Sequence, residues 1–111
     1  MEKIIERNLL FDFYGDLLTE RQRNIYQDLV YGDLSLSELA DDYGISRQGV
    51  HDLIRRCDKT LEDYENKLHL IDRFGKIRRY TDMITSESEK TGNEEVISHI
   101  NDYVENINKL L

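Results

Sequence analysis

The stretch LSLSELADDYGISRQGVHDLIRRCDK, residues 34–59, decides the fold. Leu36, Leu39 and Ala40 fall on one face of a short helix that Ser35 or Ser37 can cap. Ala40 is small where a second helix must cross closely. Gly44 sits where the chain needs a left-handed turn that a side chain disfavours. Ile45 fills the hollow under that turn, and Ser46 offers its hydroxyl to a free N–H at the start of the next helix. Val50, Leu53 and Ile54 then bury this second helix against the first. Leu36, Ala40, Gly44, Ile45, Val50 and Leu53 fall in the register of a helix-turn-helix, two helices at about 35–43 and 46 onward.

Working outward, Thr19-Glu20-Arg21-Gln22 is a capping box that opens a helix carrying Ile25, Tyr26, Leu29 and Val30 and ending at Gly32. Before it, residues 2–18 hold apolar side chains on more than one helical face, so this first helix is expected to be buried on two sides. After the motif, Val50, Ile54, Cys57, Leu61, Tyr64, Leu68 and Ile71 recur at alternating spacings of four and three. That is a heptad seam, and no Gly or Pro interrupts it before Gly75. It predicts one helix of ~25 residues, ~37 Å long. The seam serves either as an inner bundle stripe or as a dimer contact, and the over-apolar first helix favours the dimer. Ile77, Tyr80, Met83 and Ile84 suggest a further helix, TSESEKTGN (85–93) reads as a linker, and Asn93-Glu94-Glu95 starts a last helix with Val96, Ile97, Ile100, Tyr103, Val104 and Ile107 at helical spacing.

The fold expected is all-α: a helix-turn-helix headpiece with a long helix and C-terminal helices forming a bundle. Residues 1–111 are read as one domain, with the helix-turn-helix core at 17–59 and the extension at 60–111. The 111 residues contain no proline and are 39% apolar and 34% charged, enough for one modest core under a polar surface. No run is long enough to span a bilayer, and no signal-peptide pattern opens the chain, so membrane insertion is not expected. A lone cysteine, Cys57, fits a reducing cytoplasm.

Net charge is −8, which repels nucleic acid at long range, but it is uneven. Residues 73–81 carry +4, residues 82–111 carry −5, and residues 35–59 carry only −1. On the second motif helix Arg47, Arg55, Arg56 and Lys59 outnumber Asp52 and Asp58.

Residues 17–56, LLTERQRNIYQDLVYGDLSLSELADDYGISRQGVHDLIRR, resemble the helix-turn-helix of region four of bacterial sigma factors. The closer resemblance is to YlxM, a family of small bacterial proteins of about this length. NLLFDFYGDLLTERQRNIY, SLSELADDYGISRQGVHDLIRR and TLEDYENKLHLID carry it, over roughly residues 8–72. It implies a regulatory helix-turn-helix protein of the bacterial cytosol, linked to the signal recognition particle pathway mainly by the placing of its genes.

The side chains expected to meet DNA or structured RNA point away from Val50 and Leu53: Arg47, Gln48, His51, Asp52 and Arg55, with Ser46 and Arg56 near phosphates. Arg47 or Arg55 suits guanine, and Gln48 suits adenine. Asp52 either selects cytosine or pairs with Arg55 or Arg56 along the helix. Arg73, Lys76, Arg78 and Arg79, bracketed by Phe74 and Tyr80, either grip phosphates while the aromatics stack on bases, or form a solvated face with both aromatics packed inward. His51, His69 and His99 lack metal-ligand spacing, and no phosphate loop or nucleophile elbow is present, so neither metal, cofactor nor enzymatic activity is expected. A homodimer acting on nucleic acid is the leading reading. The alternative is a protein-binding adaptor of the signal recognition particle pathway that keeps the motif as scaffold.

Overall fold

The computed structural model describes residues 3–111, so the expected helical start at Glu2 lies outside the described residues. Six α-helices follow in order: α1 (Lys3–Tyr14), α2 (Glu20–Val30), α3 (Leu36–Tyr43), α4 (Arg47–Leu68), α5 (Leu70–Glu89) and α6 (Glu94–Lys109). A 3-10 turn (Gly15–Leu17) separates α1 from α2, and no strand occurs among the described residues. The fold is all-α. The chain divides into two compact units, one running to Ile71 and the other Asp72–Leu111.

The first unit is organised around α4. Val50, Ile54, Cys57 and Leu61 are buried on one stripe of it, and Leu10 and Tyr14 of α1, Tyr26 of α2 and Leu39 of α3 close over that stripe. Burying one such large side chain stabilises by about 1.5–3 kcal/mol. The seam read from the sequence is therefore filled inside the chain along this length. Tyr64, one turn further, stacks on Tyr14 with ring centroids 6.0 Å apart. Leu68 is 44% exposed.

α1 is buried less evenly than its composition suggests. Leu10 and Tyr14 are buried in the core, and Phe11 stacks on Tyr26 at 5.8 Å, but Ile4 and Ile5 remain exposed. The capping box of α2 forms as expected: the Gln22 N–H donates to Thr19 Oγ1, and the Thr19 N–H donates to Gln22 Oε1. α2 ends at Val30, with Tyr31 as its cap, just short of Gly32.

The long helix stops at Leu68 rather than at Gly75. His69 takes a left-handed conformation (φ 57°) and caps α4 by donating its N–H to the carbonyl of Glu65. Histidine tolerates this region better than most residues other than glycine. Two side chains receive the interrupted backbone. The Leu70 N–H donates to Tyr14 Oη (3.1 Å) and the Ile71 N–H donates to Glu65 Oε1 (3.0 Å), while the Tyr14 hydroxyl donates to that same Glu65 oxygen at 2.6 Å. These contacts supply acceptors for the free N–H groups that begin α5.

In the second unit, α5 runs through Gly75 and through most of the segment expected to be a linker. The Thr81, Thr85 and Ser88 hydroxyls donate to the carbonyls of Arg78, Thr81 and Thr85, three or four residues back. Such back-bonding lets polar residues sit within a helix by giving their hydroxyls a partner. Asn93 caps α6 by accepting from the Val96 N–H. Thr81 Oγ1 lies 3.3 Å from Asn108 Oδ1, and both residues are far from the short connection, so α5 and α6 run antiparallel as a hairpin.

Candidate nucleic-acid interface

The recognition geometry begins at the turn. Gly44 adopts φ +66°, and the Ile45 N–H reaches back to the Ala40 carbonyl (3.1 Å) to close α3. Ser35, rather than Ser37, caps α3, and its capping box with Glu38 is complete. Ser46 caps α4, its Oγ accepting from the Gly49 N–H at 2.9 Å. With Leu39 and Val50 fully buried and Ala40 buried between them, the opposite side of α4 is left in solvent.

That side collects the residues the motif predicts. Arg47, Gln48 and His51, with Leu36 of α3, line one surface hollow; Asp52, Arg55, Arg56 and Lys59 line the next. From Arg47 to Arg56 the helix rises ~14 Å, a length that lies along a major groove ~12 Å wide. No acidic residue occupies the first turn of α4, where the helix dipole favours an anion. Ser46 spends its hydroxyl on capping, so it fixes the direction of that turn while its exposed side remains available.

Two acidic residues behave differently from the simple count of charges. Asp58 is buried, and Arg7 of α1 grips it with two hydrogen bonds of 3.0 and 2.7 Å. The Tyr26 hydroxyl donates to it at 2.6 Å. Burial, and then this bond to a carboxylate, push the Tyr26 pKa far above its ordinary value. Asp58 thus offsets Arg7 and is withdrawn from the exposed face, leaving Arg47, Arg55, Arg56 and Lys59 against Asp52 alone, a net +3 with His51 neutral. Asp52 does not pair with Arg55 or Arg56. It accepts from Gln48 Nε2 at 3.0 Å and lies 3.8 Å from His51 Nδ1. Helical side chains lean toward the N-terminus, which carries Asp52 toward position 48 and away from 55 and 56. The four cations of this face make no ion pair among the described residues.

Lys59 belongs with this face too, beside Asp52, Arg55 and Arg56. Its spacing of four from Arg55 and three from Arg56 is the signal that places it there. The partnership of Asp58 with Arg7, 51 residues away, has no local signal.

The second basic group is dispersed. Arg73, Lys76, Arg78 and Arg79 are all exposed on α5, but at 100° per residue Arg78 projects almost opposite Arg73 and Lys76. Lys76 pairs with Asp72 at 3.1 Å. Phe74 is half-buried, whereas Tyr80 is 64% exposed, so the two aromatics do not pack inward together.

Cys57 is fully buried, and burial raises its thiol to about 11. Among the described residues no group of His, Cys, Asp and Glu is placed to hold a metal ion, and no helix is long and apolar enough to cross a membrane.

A capped helix leading into a tight αL turn and an exposed, cation-bearing second helix defines a small helix-turn-helix protein. The sequence comparisons refine that class. Residues 1–103 match the UPF0122 family, described as "Putative helix-turn-helix protein, YlxM / p13 like", and the chain belongs to this family. A UPF0122 protein of Shouchella clausii is 40% identical over 110 residues, covering 99% of this chain and 98% of that protein. One from Desulforamulus reducens is 51% identical over 75 residues, 67% of this chain and 63% of that protein, and one from Staphylococcus epidermidis is 50% identical over 76 residues, 68% and 69% respectively.

Proposed function

We propose that this protein is a cytoplasmic regulator that contacts nucleic acid through the exposed face of α4. Arg47, Gln48, His51 and Arg55 face the base edges, Asp52 holds Gln48 in place, and Ser46, Arg56 and Lys59 lie along the phosphates. The withdrawal of Asp58 into its contacts with Arg7 and Tyr26 carries the reading. It leaves a cationic strip on a molecule that is acidic overall, which suits short-range contact with a polyanion rather than long-range attraction. Two such helices in a homodimer would address a two-fold site. The proposed activity belongs to the signal recognition particle pathway, a reading the family resemblance supports, and structured RNA is a natural target there beside DNA.

A second reading, the protein-binding adaptor, is favoured by the exposed Glu38, Asp41 and Asp42 on α3 and by the net charge of −8. Fluorescence anisotropy with random-sequence duplex DNA and with an RNA hairpin, each across a salt series, separates the two. Nucleic-acid binding predicts an affinity that falls steeply with salt and drops at least tenfold in the Arg47→Ala, Arg55→Ala double variant. No binding at low salt, or a double variant that binds like the parent, overturns the reading and leaves the adaptor.

A further inference from the structure

The hairpin of α5 and α6 does not close a core of its own. Its buried side chains are Thr81, Ser88 and Val104, two of them polar, while large apolar side chains stand in solvent. On α5 these include Tyr80 (64% exposed), Met83 (62%) and Ile84 (47%); on α6 they include Tyr103 (64%) and Ile107 (40%), followed by Leu110 (85%) at its C-cap. Their positions are ordered. At 100° per residue, Tyr80, Met83 and Ile84 form an arc to one side of Thr81, which meets Asn108 of α6, and of the buried Ser88. Tyr103, Ile107 and Leu110 form an arc on the same rotational side of Val104 and Asn108. A two-fold rotation that relates two antiparallel helices preserves that sense, so both arcs lie on one face of the hairpin.

We infer that this face packs on the same face of a second copy, forming a four-helix bundle in which the two hairpins run antiparallel. Size supports the match. At ~150–250 Å² for a large side chain, the six exposures amount to roughly 550–900 Å², close to the ~800 Å² per partner of a standard interface. A unit of 40 residues is also near the limit below which folds rely on oligomerisation or other cross-links. Charge sets the orientation. Along the apolar arc of α5, Lys76 lies on the near side of Tyr80 and Glu87 beyond Ile84. A two-fold axis crossing α5 between Thr81 and Asp82 places Tyr80 opposite Met83 of the second copy and Lys76 opposite its Glu87, and the contact occurs twice by symmetry. The local pairs Lys76–Asp72 (3.1 Å) and Lys90–Glu87 (3.0 Å) are exposed and hold these side chains only weakly. Packing in the parallel sense would instead bring the Arg73–Arg79 ends together.

The inference rests on the α5–α6 hairpin alone and does not depend on nucleic-acid binding. Light scattering on the full chain across a dilution series, without nucleic acid, should give twice the 13.2 kDa of one chain, and the Arg47→Ala, Arg55→Ala variant should do the same. Tyr80→Glu with Met83→Glu should give single-chain mass with unchanged helical circular dichroism, because both side chains are exposed in the single chain. Lys76→Glu and Glu87→Lys should each weaken association several-fold, and the two together should restore it. A parent mass of 13.2 kDa at every concentration, a Tyr80/Met83 variant that still dimerises, or a charge-swapped variant that stays weak would overturn the bundle or its antiparallel sense.

Discussion

The two units are of comparable helix content and very different interior. In the first, Tyr14, Ile25, Tyr26, Leu39, Val50, Cys57 and Leu61 are essentially sealed from water; in the second, only Val104 is a buried hydrophobic residue. The first unit contains three helices that cross around a central fourth, so each apolar stripe meets another. The second has two helices, and two helices can cover only one stripe each. Helical periodicity alone is thus a poor guide to burial. What decides it is how many other elements the chain brings to each face.

The largest test of this contrast is a matched truncation. Leu61→Ala in the first unit should cost about 3–4 kcal/mol by chemical denaturation, since it empties a fully enclosed site. Ile84→Ala, 47% exposed in the single chain, should cost under about 1 kcal/mol when measured on a monomeric background. Equal losses would break the comparison. Next, Asp58→Ala should destabilise by about 2–3 kcal/mol, because Arg7 and the Tyr26 hydroxyl lose their shared partner beneath α4. Asp58→Asn should cost less, as it can still accept from one of them. An Asp58→Ala protein as stable as its parent would mean that hydrophobic packing alone holds α1 on α4.

The smallest effect expected is a pH dependence. The Tyr43 hydroxyl donates to Asp28 Oδ2 at 2.5 Å, and that carboxylate, with burial second, raises the Tyr43 pKa to about 12 from 10.0. A folded-state value above the unfolded one means that the stabilisation is complete below pH 10 and lost as pH climbs from 10 to 12. Tyr43→Phe should make the stability profile of the first unit less steep in that window, the remainder of the slope coming from groups such as Tyr31 and Cys57 that are raised there too. An unaltered profile would remove this tie between α2 and α3 from the account.

The legible parts of the fold are those whose cause is local. Ser46, Thr19 and Asn93 cap helices by reaching three residues along the chain, and Gly44 marks a turn by its own conformational freedom, so each is visible in a short window of sequence. The unpredicted parts have distant causes. The break at His69 is held by Tyr14, whose hydroxyl lies 56 residues from the Leu70 N–H it receives. In sequence Asp58 is one more charge on the motif helix; in the fold Arg7 and Tyr26 enclose it. The TSESEK segment reads as a linker because Ser and Thr compete with helical hydrogen bonds; here Thr85 and Ser88, like Thr81 before them, donate back to the helix carbonyls and α5 continues. For the candidate site the exposed row on α4 follows from the motif register, whereas its net charge, +3 rather than +2, depends on one long-range contact.

The lone cysteine turns the same contrast into a built-in reporter. Cys57 lies at the centre of the first unit, fully enclosed, with its thiol pushed up to about 11. A thiol reagent at neutral pH can therefore reach it only when that unit opens, and the speed of labelling counts those openings. Fraying or separation of the α5–α6 hairpin leaves the clock silent. The chain carries, without engineering, a probe that times the opening of one of its two units and is blind to the other.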